Sequence, residues 1–139
     1  MLDRLALIPA FLGISAICMA TTARPTPNPA VDTLIRDGVA LFDAGDLAGA
    51  RLKLEAALAM EPANITALFE LSYTHMAAKS LDPCLMTTAA GLALDSPMQA
   101  GFFVMRGSCL SDGGRLDEAI RTFRQGLDGA PRDPMLNYN

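Results

Sequence analysis

Four side chains of the sequence have types that can carry redox, metal or acid–base chemistry. They are three cysteines and one histidine, namely Cys18, His75, Cys84 and Cys109. The thiol of Cys84, which follows a proline in a helical pattern, is compatible with catalysis, metal binding, a disulfide or simple packing. One histidine among scattered carboxylates is not the closely spaced ligand set of a metal site. Because nothing places a base beside a nucleophile, the sequence predicts no catalytic residue, no metal and no cofactor.

Charge and composition argue against a nucleic-acid-binding protein. The 139-residue chain has 11 Lys and Arg against 15 Asp and Glu, a formal net charge of −4 at pH 7. Neutralising phosphates requires a cluster of Lys and Arg, and no basic run or basic face is present. We interpret the acidic residues, such as Asp43 and Glu55, as a solvated rim.

The segment 1–23 has the features of a secretory signal. Arg4 provides a small positive region, residues 5–20 are uncharged and apolar, and small residues follow. The apolar run contains Pro9 and is shorter than the roughly 20 residues that span a bilayer. We therefore expect residues 1–23 to be a cleaved signal peptide and the protein to be periplasmic or secreted, in a bacterium. The alternative is an inner-membrane protein anchored through an uncleaved leader.

A proline-rich segment separates this leader from the rest of the chain. Residues 24–30 read RPTPNPA, and three prolines in alternate positions favour an extended, polyproline-like spacer. The folded part is therefore expected to begin near residue 31, which leaves enough chain for one modest core.

Small residues recur at the same intervals in two stretches of the chain. Starting from Gly38, small or apolar residues follow after 12, 16 and 19 positions and a proline after 24, and the same intervals start from Gly107. A weaker copy starts from Ser72, which lies midway between the two glycines. Each copy predicts two amphipathic helices joined by a tight turn, with small residues where the helices cross.

Turn residues mark the ends of the predicted helices. Gly45 is expected to end one helix and Asp46 to cap the next, and the glycines at 113–114 make the same turn in the third copy. In the middle copy we expect Asp82 to be the cap and Pro83 to take the first helical position. The predicted helices cover residues 31–44, 47–60, 64–78, 83–95, 98–111 and 115–129.

This pattern resembles the tetratricopeptide repeat (TPR), a 34-residue unit in which Gly, Tyr, Ala, Phe and Pro positions follow one another at fixed spacing. His75 stands where the family has a core tyrosine, so it is expected to be packed rather than catalytic. The resemblance covers about residues 31–133. Its three units are residues 31–64, 65–99 and 100–133, and residues 134–139 are a C-terminal tail. It implies an all-α fold, a TPR α-solenoid of three helix-turn-helix units in a right-handed superhelix.

The resemblance also implies a binding groove. The first helices of stacked repeats line a concave surface that takes partners. In this chain that surface is expected to comprise Ile35, Val39, Phe42, Phe69, Tyr73, Met76, Val104 and Ser108. Some TPR domains hold a partner's C-terminal carboxylate with Lys, Arg and Asn, but here these positions are apolar or small. A helix or an apolar extended peptide fits this groove better. Core packing, or cover by the chain's own tail, is the alternative.

The resemblance gives Cys84 a position as well. It takes the small-residue place at the start of the middle unit's second helix, and Cys109 lies near the end of the next helix. Cys84 precedes Ser96 by as many positions as Cys109 follows Pro97, which puts the two cysteines at the same height on antiparallel neighbours. A disulfide is geometrically possible, and removal of Cys18 with the leader leaves an even pair in an oxidising compartment. Two buried thiols are the alternative.

Two functions are compatible with these expectations. The first is an exported, non-enzymatic protein–protein interaction module, an adaptor or assembly scaffold that binds a partner peptide or helix in the apolar groove. The second is a structural protein that associates with itself. No polar capping helix follows the third unit, so the apolar face with Ile120 and Leu127 is expected to meet a partner or a second copy.

Overall fold

The computed structural model describes residues 28–129, which form six α-helices and no strand. The helices are α1 (Pro29–Asp43), α2 (Leu47–Met60), α3 (Ile65–Ala77), α4 (Leu81–Leu92), α5 (Gln99–Asp112) and α6 (Leu116–Gly129). Their bounds agree closely with the predicted ranges, and the largest difference is at α4. None of these six helices is long and apolar enough to cross a membrane. The predicted signal peptide and C-terminal tail lie outside the described residues.

Helix α1 begins earlier than the sequence pattern predicts. The Oδ1 atom of Asn28 accepts a hydrogen bond from the N–H of Ala30 at 3.1 Å, and Pro29 takes the first helical position. Proline suits this position because its missing N–H would have no helical partner. The prediction that the spacer extends to residue 30 is therefore wrong for Pro29 and Ala30, which belong to the helix.

The turns inside the units share one backbone geometry. Gly45 and Gly114 have φ values of +83° and +75°, in the left-handed region that favours glycine. Lys79 takes the equivalent position in the middle unit with φ of +53°. The predicted cap at Asp46 is confirmed, since its Oδ1 accepts a hydrogen bond from the N–H of Gly49 at 2.8 Å. All three turns thus reverse the chain alike, although the middle one lacks glycine.

The predicted start of α4 is wrong. Ser80, not Asp82, is the N-cap residue, and the helix begins at Leu81. Asp82 and Pro83 therefore lie inside the first turn, where the negative charge of Asp82 still favours the helix dipole. The left-handed residue Lys79 brings the chain into the helix two positions earlier than the proline indicates.

The helices pack as three antiparallel pairs, α1 with α2, α3 with α4 and α5 with α6. Helix α1 also contacts α3, and α3 contacts α5, whereas α2 does not contact α4 and α4 does not contact α6. Because the first helices of neighbouring units lie closer together than the second helices, the array curves. Helices α1, α3 and α5 therefore line its concave side.

Small residues allow the paired helices to approach each other. A Cβ atom added at Gly38 would lie 2.8 Å from Cγ of Leu54, too close for any larger residue in this arrangement. Ala50 and Ala57 on α2 are fully buried in the same unit. Leu54 joins Val31 and Leu71 in one core cluster over α1, α2 and α3. A second cluster, built on Leu68, Phe102 and Met105, joins α3 to α5.

Candidate functional site

An open, mainly apolar cavity of about 340 Å³ lies between α3 and α5 on the concave side. We call it the groove. Its lining residues are Phe69, Glu70, Tyr73, Met76, Gly101, Val104, Met105 and Ser108. The structure thus brings together five predicted groove residues, namely Phe69, Tyr73, Met76, Val104 and Ser108. Tyr73 is 43% exposed, which makes it the most accessible aromatic side chain of the lining.

Helix α1 extends this apolar surface beyond the groove. The ring centroid of Phe42 lies 5.0 Å from that of Tyr73, with the ring planes inclined by 40°. Val39 is half-buried, one turn before Phe42 on α1, and does not line the groove. Phe42 therefore adjoins the groove through Tyr73, and Val39 lies further away on the same helix.

The prediction that Ile35 lines the groove is wrong. Its side chain is only 8% exposed and belongs to the core cluster with Leu54 and Leu71. The spacing of residues 35, 39 and 42 puts them on one face of α1. At the level of Ile35 that face is covered by α2 and α3, so the residue packs in the core.

The groove wall is continuous with the core beneath it. A Cβ atom at Gly101 would lie 2.5 Å from Cε2 of Phe69, so glycine allows the Phe69 ring to lie against the backbone of α5. The same ring meets Phe102 edge to face, with centroids 5.4 Å apart and planes at 76°. Phe102 is fully buried, packed in the cluster with Leu68 and Met105. The position of Phe69 therefore depends on Phe102.

Glu70 is the one charged residue of the groove lining, and the sequence pattern does not single it out. It is half-buried, and no ion pair among the described residues includes it. Burial raises the pKa of its carboxyl group, and the negative charge of Asp43 raises it further. Its helical spacing could have identified Glu70 as a groove residue, because it lies three residues before Tyr73 and so on the same face of α3.

His75 lies away from the groove and is 6% exposed, which agrees with its prediction as a packed residue. It borders a separate open cavity of about 490 Å³ with Arg51 and Glu55. Burial lowers the pKa of its imidazole, the charge of Glu55 raises it, and that of Arg51 lowers it. Within residues 28–129, no group of three or more His, Cys, Asp or Glu side chains is placed to hold a metal ion.

Cys84 and Cys109 are joined as a disulfide that links α4 to α5. Their Cα atoms are 6.5 Å apart, and 25 positions of sequence separate them. Both residues are buried. The structure therefore brings the predicted pair together, and the link runs between the second and third units.

Helix α6 presents apolar side chains to solvent. Leu116 is 59% exposed and Ile120 is 48% exposed, on one face of the helix. Leu127, also predicted for the uncovered face, is half-buried. This α6 face is separate from the groove, because none of its residues lines that cavity.

Comparison with known proteins gives one family match and several similar folds. Residues 36–82 match a family model described as tetratricopeptide repeat. No curated protein matches the chain.

The similar folds cover most of this chain. The N-terminal domain of stress-induced protein-1 (STI-1) from C. elegans is 20% identical, with a TM-score of 0.69 over 81% of this chain and 94% of that one. The Arabidopsis OM64 TPR domain is 16% identical, with a TM-score of 0.71 over 79% of this chain and 90% of that one. The second TPR domain of human RPAP3, in complex with the HSP70 peptide SGPTIEEVD, is 17% identical, with a TM-score of 0.67 over 78% and 92%. At these identities the similarity shows the fold.

Proposed function

We propose that this chain, an all-α solenoid in fold, is a tetratricopeptide repeat protein that acts as a non-enzymatic adaptor or assembly scaffold and binds a partner peptide or helix in the groove. The observation that carries the proposal is the apolar cavity of about 340 Å³ on the concave side. Grooves of this kind take the apolar face of an amphipathic helix or an extended peptide. The human RPAP3 domain, similar in fold, is bound to a peptide.

The lining of the groove favours an apolar partner over an acidic one. It contains no Lys or Arg, and its single charge is the carboxylate of Glu70. The peptide held by the RPAP3 domain, SGPTIEEVD, contains three acidic residues. Such a peptide would bring like charges towards Glu70, which disfavours binding. We therefore assign this groove a different class of peptide.

We further propose that the protein acts after export, in the periplasm or outside the cell. Two features support this location. Residues 1–23 have the pattern of a secretory signal. Cys84 and Cys109 form a disulfide, and disulfides persist mainly in oxidising compartments.

The groove is tested by cross-linking in the native cell followed by mass spectrometry. We expect the double variant Phe69→Ser with Tyr73→Ser to lose about tenfold or more of the cross-linked partner, because aromatic anchors carry much of the energy of an interface. The double variant Leu52→Ser with Met60→Ser is the matched control, since it removes two exposed apolar side chains of α2 that do not line the groove. Circular dichroism checks that both variants are folded. Equal recovery of the same proteins by wild type and groove variant would contradict the proposal.

The exposed Leu116 and Ile120 favour a second candidate function, self-association through the α6 face. The two side chains lie one turn apart on α6, where they could pack against the same face of a second copy. We expect light scattering over a concentration series to show a rising mean mass for the wild type and a constant monomer mass for Leu116→Ser with Ile120→Ser. A constant monomer mass for the wild type would eliminate this function.

A further inference from the structure

We propose that the peptide bound in the groove carries a lysine or arginine beside its apolar anchors, and that Glu70 selects for this basic side chain. The inference rests on the proposed function and names the partner chemistry of the same groove. Three observations carry it. They are the unpaired carboxylate of Glu70, a second carboxylate at the neighbouring helix end, and the aromatic pair beside them.

Glu70 has no basic partner among the described residues. The ion pairs in that part of the chain are Arg51 with Glu55, Lys53 with Asp37 and Arg115 with Glu118, none of them in the groove. Within residues 28–129, every buried side-chain nitrogen or oxygen has a hydrogen-bond partner. The Glu70 carboxylate accepts no hydrogen bond from these residues, so it must reach solvent in the groove. It is therefore accessible to a partner that supplies the missing positive charge.

The surroundings of Glu70 are negative. Asp43 is the last residue of α1, and its charge is felt at Glu70, whose pKa it raises in addition to the larger effect of burial. The carboxyl end of α1 adds the negative pole of its helix dipole at the same place. A bound cation would interact favourably with both carboxylates and with the helix end, and would offset the cost of burying the Glu70 charge.

Aromatic rings complete the environment of a cation. Tyr73 lies one turn after Glu70 on α3, and its ring is 5.0 Å from that of Phe42, which directly precedes Asp43. A Lys or Arg side chain bound at the carboxylates would lie beside these two aromatic residues, since each is a near neighbour in sequence of one carboxylate, and cation–π attraction would add to its binding. Arginine suits the site best, because its planar guanidinium stacks on a ring and can donate two hydrogen bonds to one carboxylate.

These features divide the groove into two parts. Phe69, Met76 and Val104 offer an apolar surface for bulky aliphatic or aromatic anchors. Glu70 and Tyr73 mark the edge towards α1, where the basic side chain would lie. The expected partner segment is therefore apolar with one basic residue at a fixed offset from its anchors.

Selection from a displayed library of random peptides tests this inference. The target is the protein produced from the full chain, and each peptide has roughly 14 residues, about four helical turns. We expect selected peptides to share apolar anchors and a Lys or Arg at a fixed offset. Selection on the Glu70→Gln variant should keep the anchors and lose the basic residue. Asp128→Asn on α6 removes the same charge away from the groove and should select the same peptides as the wild type.

A titration then measures the charge effect with the best selected peptide. Replacing its arginine by citrulline, which has the same shape and no charge, should weaken binding to the wild type by about tenfold to a hundredfold. The same replacement should change binding to Glu70→Gln by less than about twofold.

The outcomes separate the two proposals. If the selected peptides share apolar anchors but have no basic residue, or have an acidic one, the proposed role of Glu70 is wrong. The proposed peptide-binding groove is still supported in that case. An equal preference for the basic residue in wild type and Glu70→Gln also overturns it. If no peptide is enriched, or if enriched peptides bind Phe69→Ser with Tyr73→Ser as well as the wild type, the proposed peptide-binding groove itself fails.

Discussion

Replacing Phe102 by alanine is expected to lower the free energy of unfolding by about 3–5 kcal/mol, the range measured for buried aromatic side chains. Phe102 is fully buried and packs with Leu68 and Met105 between the second and third units. A Cβ atom at Gly91 would overlap its ring, so α4 approaches it closely as well. The space left by the ring is enclosed by three helices and cannot close without moving one of them.

Urea denaturation followed by circular dichroism measures this effect. Leu116→Ala is the control, because Leu116 is 59% exposed and its loss should change stability by less than about 0.5 kcal/mol. Phe102→Ala should also release the Phe69 ring, which rests on it edge to face, and so weaken peptide binding in the groove. If Phe102→Ala lowers the free energy of unfolding by less than about 1 kcal/mol, the packing described for Phe102 is contradicted.

Removing the disulfide is expected to lower the free energy of unfolding by roughly 3–4 kcal/mol, on the chain-entropy estimate for a loop of this size. The bond closes a loop between positions 25 apart in sequence. The variant to compare is Cys84→Ala with Cys109→Ala, which preserves the apolar character of both buried positions. Its unfolding midpoint should lie well below that of the oxidised wild type.

Reduction of the wild type provides the matched control. The reduced wild type and the double variant should unfold at similar denaturant concentrations, because both lack the bond. Intact mass under non-reducing conditions, on protein purified from the exported compartment, should be two hydrogens lower than after reduction. Two free thiols in that sample would contradict the disulfide, and with it the support that it lends to export.

The fold was predictable because its determinants are local and repeated. Gly38 and Gly107 lie at equivalent places, and a single interval pattern specifies both the crossing of each helix pair and its turn. The glycine at 38 is explained by its close approach to Leu54. The start of α4 was less predictable, since Lys79 adopts a left-handed conformation that its residue type does not indicate.

The groove was predictable only in part, because helical spacing identifies a face and not what covers it. Phe69 and Tyr73 lie on a face of α3 that stays open, whereas Ile35 lies on a face of α1 that α2 and α3 cover. The partial burial of Glu70 depends on neighbouring helices. The sequence alone therefore does not distinguish its carboxylate from those that are fully exposed to solvent. Gly101 could not be recognised as a groove residue either, because the need for glycine there comes from the Phe69 ring, which lies on a different helix much earlier in the chain.

The disulfide has a consequence for binding as well as for stability. The two walls of the groove, α3 and α5, belong to different units, and the link from α4 to α5 ties those units together. In a linear array each unit is held only by its neighbours, so the seam between units is where such a molecule flexes. The covalent link is expected to preorganise this seam, so that a peptide entering between the walls would lose less entropy in ordering them. If the proposed groove binds a peptide, reduction of the disulfide would then weaken binding by making the two walls more mobile.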